Sequence, residues 1–171
     1  PRIKGGEDPA SIVGFEVERM LMPRVSGPHV PRFVARGDFT RQPYIVMERI
    51  GGDTLRPKLA QAPLPVDEVA QIGARVAQAL HALHCQHVVH LDIKPSNIMF
   101  RETGEAVLVD FGLSRHDQLP DLLEEEFALP MGTGPYMSPE QIQFVRTDPR
   151  SDLFALGVMM YHLATGERPF G

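Results

Sequence analysis

The sequence lacks the features that would tie it to a secreted, membrane-spanning or nucleic-acid-binding class. Cys85 is its one cysteine, so no internal disulfide can form, which suits a reducing compartment. No apolar run approaches the ~18 residues that a bilayer span needs, so no membrane segment is expected. The chain opens on Pro1 rather than on methionine, without the basic and apolar regions of a signal peptide, and a fragment of a longer protein is expected. An excess of positive charge is also missing. The 17 Lys and Arg residues against 22 Asp and Glu leave a net charge of −5, which gives no global field to hold nucleic acid or an anionic membrane. There is no internal repeat and no low-complexity tract. The glycine pairs Gly51-Gly52 and Gly132-Thr133-Gly134 have neither the G-x-G-x-x-G nor the Walker spacing of a phosphate loop and read as turns.

What is present is an ordinary globular balance, 43% hydrophobic and 23% charged over 171 residues, the size of roughly one domain. Asp8 before Pro9 reads as an N-cap and N1 proline. With Ile12, Phe15 and Met22 at helical spacing and Pro23 beyond, a helix over 9–22 is expected. Two apolar runs, Arg32 to Ala35 and Tyr44 to Glu48, flank Gly37-Asp38 and the polar Arg41 and Gln42, which predicts a strand pair. Val69, Ile72, Val76, Leu80 and Leu83 recur at three and four behind Asp67 and Glu68, a long amphipathic helix with acids at its dipole's positive end. Ile98 to Phe100 and Ala106 to Val109, joined by Glu102-Thr103-Gly104-Glu105, predict a hairpin. Leu153, Leu156, Met160 and Leu163, closed by Gly166, predict an apolar, buried helix. Glu124-Glu125-Glu126 reads as a solvated loop.

The chemistry concentrates between residues 90 and 112. His90-Leu91-Asp92-Ile93-Lys94-Pro95-Ser96-Asn97 precedes the hairpin, and Asp110-Phe111-Gly112 ends its second strand. Phosphoryl transfer needs such a set: a carboxylate to receive the proton of the attacking hydroxyl, a cation for the moving group, and oxygen ligands for Mg²⁺. In that reading Asp92 is the base, Lys94 the cation, and Asn97 with Asp110 the metal ligands. Alone, any one of these Asp or Asn residues reads better as a turn residue, and it is the joint pattern that points to chemistry. His81, His84, Cys85, His87 and His90 supply no closed set at zinc spacing and read as helix-surface histidines.

Taken together these motifs resemble the eukaryotic-like serine/threonine protein kinases in their bacterial form. H-R-D-x-x-x-x-N appears as His90, Leu91, Asp92 and Asn97, and D-F-G stands at 110–112. Gly132 to Glu140 resembles the segment that ends in A-P-E, and Ser151-Asp152-Leu153-Phe154-Ala155-Leu156-Gly157 resembles the buried helix whose aspartate braces the catalytic loop. The resemblance covers essentially the whole chain. It implies an α+β protein-kinase fold, with the end of the small lobe over 1–50 and the first part of the large lobe over 51–171. It implies ATP and Mg²⁺ as cofactors and a protein substrate offering Ser or Thr hydroxyls, with Lys94 and Thr133 fitting that class. It also implies a cytoplasmic location, a membrane tether elsewhere in the parent protein being compatible, and is silent on oligomeric state.

By the same resemblance Met47 is the gatekeeper, the Glu48 carbonyl and the Ile50 amide meet the adenine edge, and Met99 packs beneath it. Glu18, with Glu16 as rival, is the glutamate that pairs with the nucleotide-binding lysine; that lysine is expected before Pro1, Lys4 standing too close to the helix. Met22, Phe33, His90 and Phe111 form the side-chain spine between the lobes, although plain core packing accounts for each of them. Two departures stand out. Leu91 replaces the arginine that receives an activation-segment phosphate, and no Ser, Thr or Tyr lies between Arg115 and Gly132. Constitutive activity, or control from elsewhere, is expected. The readings carried alongside are a pseudokinase or regulatory nucleotide-binding module and a small-molecule phosphotransferase. The chain is further expected to end before the large lobe is complete, to leave Glu140 without its arginine partner and to be inactive alone.

Overall fold

The computed structural model describes residues 9–37, 43–126 and 130–170, for 125 and 126 the backbone alone. Asp8, Lys4, Asp38, Arg41 and Gln42 therefore lie outside the described residues.

The first helix, α1 (Pro9–Leu21), buries Phe15, Val17, Glu18 and Leu21, while Ile12 faces solvent. Beyond it, β1 (Phe33–Arg36) pairs antiparallel with β2 (Ile45–Met47), with a register shift between Phe33 and Ala35. That pairing sets Phe33 opposite Met47. A short helix α2 (Arg56–Leu59) leads to the long α3 (Val66–His84), in which all five apolar residues of the predicted stripe are buried. The two-residue strand β3 (Val88–Val89) then pairs with β6 (Arg115–His116), and β4 (Ile98–Phe100) with β5 (Ala106–Leu108). The chain closes through α4 (Leu122–Glu126), α5 (Pro139–Ile142) and α6 (Arg150–Thr165).

Helices α3 and α6 pack against each other, and α3 also carries the β4–β5 hairpin. Leu80, Leu83, Ile98, Leu108, Met159 and Leu163 meet in this core, each under 2% exposed. The architecture is α+β, as expected, with small antiparallel ribbons set around the two long helices. Among the described residues no helix is long and apolar enough to cross a membrane.

Several expectations need correction. Leu153 is about half exposed; Met159, fully buried, takes its place in the α6 stripe, and Tyr161 also meets solvent. An apolar residue on a helix need not face the core, and periodicity alone does not say which of two apolar stripes does. Glu124-Glu125-Glu126 lies in α4 rather than in a loop, because Asp121 accepts a hydrogen bond from the Glu124 amide at its start. His84 is not a surface histidine: it is mostly covered and paired with buried Asp152.

Candidate active site

Two long-range restraints bring the residues of 90–112 to one end of the β4–β5 hairpin. The register pairs Ile98 with Leu108, and the Val109 amide donates to the Asn97 carbonyl at 3.0 Å. Asn97 thus sits beside Val109, and Asp110 follows at the same strand end. Asp110 is exposed and has φ of 67°, the left-handed region that aspartate tolerates better than most residues.

The loop before the hairpin is held from below. Leu91 also has a positive φ, 63°, which costs an L-residue roughly 1–2 kcal/mol and persists only when the surroundings enforce it. Asp152, 1% exposed on α6, enforces it: its Oδ2 accepts from the His90 amide at 2.9 Å and its Oδ1 from the Leu91 amide at 2.8 Å. The Gln141 side-chain amide donates to the Leu91 carbonyl at 2.9 Å. Both peptide units flanking Leu91 are therefore pinned. His84, in the last turn of α3, stands 2.8 Å from Asp152 Oδ2 and adds a further restraint.

On this braced loop Asp92 is 7% exposed and surrounded by donors. Lys94 Nζ lies 2.6 Å from Oδ2, the Asn97 side-chain amide donates to Oδ2 at 3.0 Å, and the Thr133 hydroxyl donates to Oδ1 at 2.7 Å. Lys94 also donates to the Thr133 oxygen at 2.9 Å. Asn97 reaches the Asp92 carbonyl as well, at 3.0 Å. A carboxylate offers about four acceptor sites. Three are in use among the described residues, and the free one is on Oδ1.

Behind Asp110, His90 is fully buried, and its ring lies 5.0 Å from that of Phe111. Met22 and Phe111 belong to the same core, with Phe33 packed against it. Glu18 is buried and faces the Phe111 amide at 3.5 Å. Burial first, then the neighbouring Asp110 charge, pushes its carboxyl above the usual range. Glu16, the rival, instead grips Arg19 one turn on, at 2.8 Å.

The hinge residues are set by strand geometry. Ile45 is buried and Val46 exposed, so Met47 returns to the inner face. Met99 turns away from fully buried Ile98 by the same alternation and bridges to Thr54. Ile50 is buried. The Glu48 side chain pairs with both terminal nitrogens of Arg101. Arg101 first, then the Arg32 amide, lowers its carboxyl to about 2.

The donor set fits hard-cation chemistry. Exposed Asp110 and the Asn97 side-chain oxygen, which accepts a long 3.3 Å hydrogen bond from Ser96, are the kind of ligands Mg²⁺ takes alongside waters and phosphates. The histidines point elsewhere. His84 goes to Asp152, His87 to Asp117 and His90 to Phe111, and no cluster of three metal-binding side chains exists among the described residues.

The spacing did not reveal His84, Gln141 or Ser151 as parts of the site. Ser151 donates to Glu140 at 2.9 Å, a hydrogen bond from a serine rather than from the arginine the family supplies. Glutamine, serine and a helix-end histidine carry no pattern of their own, and their partners lie 11 to 68 residues away.

Comparison with known proteins bears on the family of the chain. The family model described as the protein kinase domain matches residues 8–171. The serine/threonine-protein kinase PknL of Mycobacterium tuberculosis is 35% identical over 95% of this chain and 41% of its own length. The probable serine/threonine-protein kinase PknB of Corynebacterium glutamicum is 41% identical over 78% of this chain and 21% of its own. A Lactococcus lactis relative named likewise is 32% identical over 95% and 26%. The chain therefore spans less than half the length of these curated relatives.

Proposed function

The chain belongs to the protein kinase domain family, and on that premise we propose that the protein transfers the γ-phosphoryl group of ATP to Ser or Thr hydroxyls of a protein substrate. The observation that carries this is the Asp92 carboxylate, held by Lys94, Thr133 and Asn97 with one acceptor site of Oδ1 free. That site receives the hydrogen bond of the substrate hydroxyl, orients its oxygen for attack and takes its proton as the new P–O bond forms and the bond from the γ-phosphorus to the bridging oxygen breaks, ADP leaving with that oxygen. Lys94, bridging Asp92 and Thr133, places a positive charge where negative charge builds up on the moving group. Mg²⁺, bound to ATP, supplies charge neutralisation at the phosphates; Asn97 and Asp110 are the residues that would hold it.

The adenine is received by the backbone of Glu48 and Ile50, with Met47 behind it and Met99 beneath. Glu18 orients the nucleotide through its lysine partner. The segment to residue 50 acts as the small-lobe part and 51–171 as the large-lobe part, with ATP supply favouring a cytoplasmic site of action. The names of the relatives and the Lys94–Thr133–Asp92 contact favour the Ser/Thr class. The test is to supply the full-length protein with Mg²⁺ and ATP labelled at the γ-phosphate. Phosphoserine or phosphothreonine in an acid hydrolysate of a protein substrate is expected. Label found only in a small molecule, or transferred nowhere, would overturn the proposal.

A further inference from the structure

For Thr133 to reach Asp92, the segment after Gly112 has to be ordered, and phosphorylation is the usual means of ordering such a segment. That means is missing here. Residues 115–132 hold no hydroxyl, Leu91 cannot pair with a phosphate, and Ser114 is buried, donating to the His90 carbonyl at 3.1 Å.

In its place stands a carboxylate. Asp121 Oδ2 accepts from Arg146 Nε at 2.8 Å and lies 3.4 Å from Arg115 Nε. The exposures of Asp121 and Arg146, 7% and 9%, exclude most solvent screening. The second oxygen of Asp121 accepts the Glu124 amide at 3.3 Å and so starts α4, which packs on α1, the helix that carries Glu18. Arg146 also donates to the Leu113 carbonyl at 3.0 Å, directly after Asp110-Phe111-Gly112. One anion thus joins the strand that follows Gly112, the middle of the segment, and the stretch between α5 and α6. Two guanidinium groups converging on a single anion is the arrangement that a phosphorylated side chain otherwise completes.

We propose that Asp121 is a positioning residue that does by genetic encoding what an activation-segment phosphate does by modification, with Arg146 as its principal partner and Arg115 as the second. This rests on the phosphoryl-transfer reading of the site. A phosphate leaves with a phosphatase and Asp121 does not, so the segment is locked rather than switched.

The test uses the full-length protein after phosphatase treatment, as wild type, Asp121→Asn and Asp121→Glu. Turnover of ATP and protein substrate is measured beside hydrogen exchange over residues 112–126. The treated wild type is expected to keep its rate. Asp121→Asn should lower kcat by roughly 10- to 10²-fold, the loss that a small misplacement causes, with the KM for ATP unchanged and faster exchange in the segment. Asp121→Glu, which keeps the charge, should recover most of kcat. Should Asp121→Asn fail to fold, Arg146→Lys, which keeps the charge but loses the fork, should show the same kcat loss and faster exchange in weaker form. A normal wild-type rate with Asp121→Asn matching it in kcat and exchange would overturn the proposal alone. So would a wild type inactivated by phosphatase, or kcat, KM and melting temperature falling together in Asp121→Asn. A wild type that transfers nothing under any treatment would overturn the functional reading and this proposal with it.

Discussion

Asp152 shows how a residue distant in sequence holds the loop on which Asp92 stands. Its carboxylate satisfies two buried amides and orients His84, and it holds Leu91 at a φ that residue would otherwise avoid. Asp152→Ala leaves both amides without a partner in the core, at about 1–3 kcal/mol each. Urea denaturation should therefore show a loss of several kcal/mol, and a change within error would mean that the loop is not braced from α6. Asp110 is the opposite case, an exposed side chain. Asp110→Ala should leave stability nearly unchanged while weakening Mg²⁺-dependent nucleotide binding by at least the roughly 10-fold that even an outer-shell loss costs. Calorimetry with and without Mg²⁺ separates the two. The proposed site residues Asp92, Lys94, Asn97 and Asp110 could be picked out of the sequence because phosphoryl transfer calls for those types in a short span. Their supports were not, because a serine or glutamine that donates one hydrogen bond looks the same in any sequence.

Among the elements, α1, α3, α6 and the β4–β5 hairpin were readable, since each is long enough for a period or bounded by turn residues. The pairing of β3 with β6 was not, because two-residue strands have no alternation and their partners lie 26 and 28 residues away. Helix α4 was hidden for a similar reason: its charges resemble a loop until Asp121 is seen to start it. The packing of α1 against the loop after Asp110 was equally invisible. A Cβ added at Gly14 would sit 3.1 Å from the Gly112 carbonyl oxygen, so the glycine permits a close backbone approach. By helix propensity alone Gly14→Ala would stabilise α1 by about 1 kcal/mol. Instead, the melting temperature is expected not to rise and turnover to fall, because α1 and Glu18 are pushed off the Phe111 amide. A more stable variant with full activity would show that the contact is dispensable.

Across the whole molecule, the part before residue 50 and the part after it are joined by hydrogen bonds between residues distant in the chain. The Leu108 amide donates to the His29 carbonyl at 2.9 Å, and Arg101 reaches the Pro28 carbonyl as well as Glu48. The lowered Glu48 carboxyl gives this joint a pH signature. A carboxyl held at about 2 in the folded chain, against about 4.3 unfolded, contributes stability that is complete above the unfolded value and is lost as pH falls through the folded one. Because the pair is about one-quarter exposed, the contribution is about 1 kcal/mol or less. Melting temperatures of wild type and Glu48→Gln should differ by a constant amount from pH 7 down to about 4.5 and converge below it. A gap that widens on acidification would place the carboxyl in another environment. The family itself was legible from four motifs in order, whereas the joints between the parts depend on chain separations that no local pattern encodes.

The most direct measurement is the rate of γ-phosphoryl transfer from Mg²⁺-ATP to a serine/threonine protein substrate by the full-length protein, compared between wild type and Asp92→Asn. The asparagine keeps the shape of the side chain and loses its capacity to take a proton. The account predicts robust transfer by the wild type and a loss of about 10²-fold or more in kcat for Asp92→Asn, with ATP binding and melting temperature preserved. Equal rates for the two proteins would contradict it.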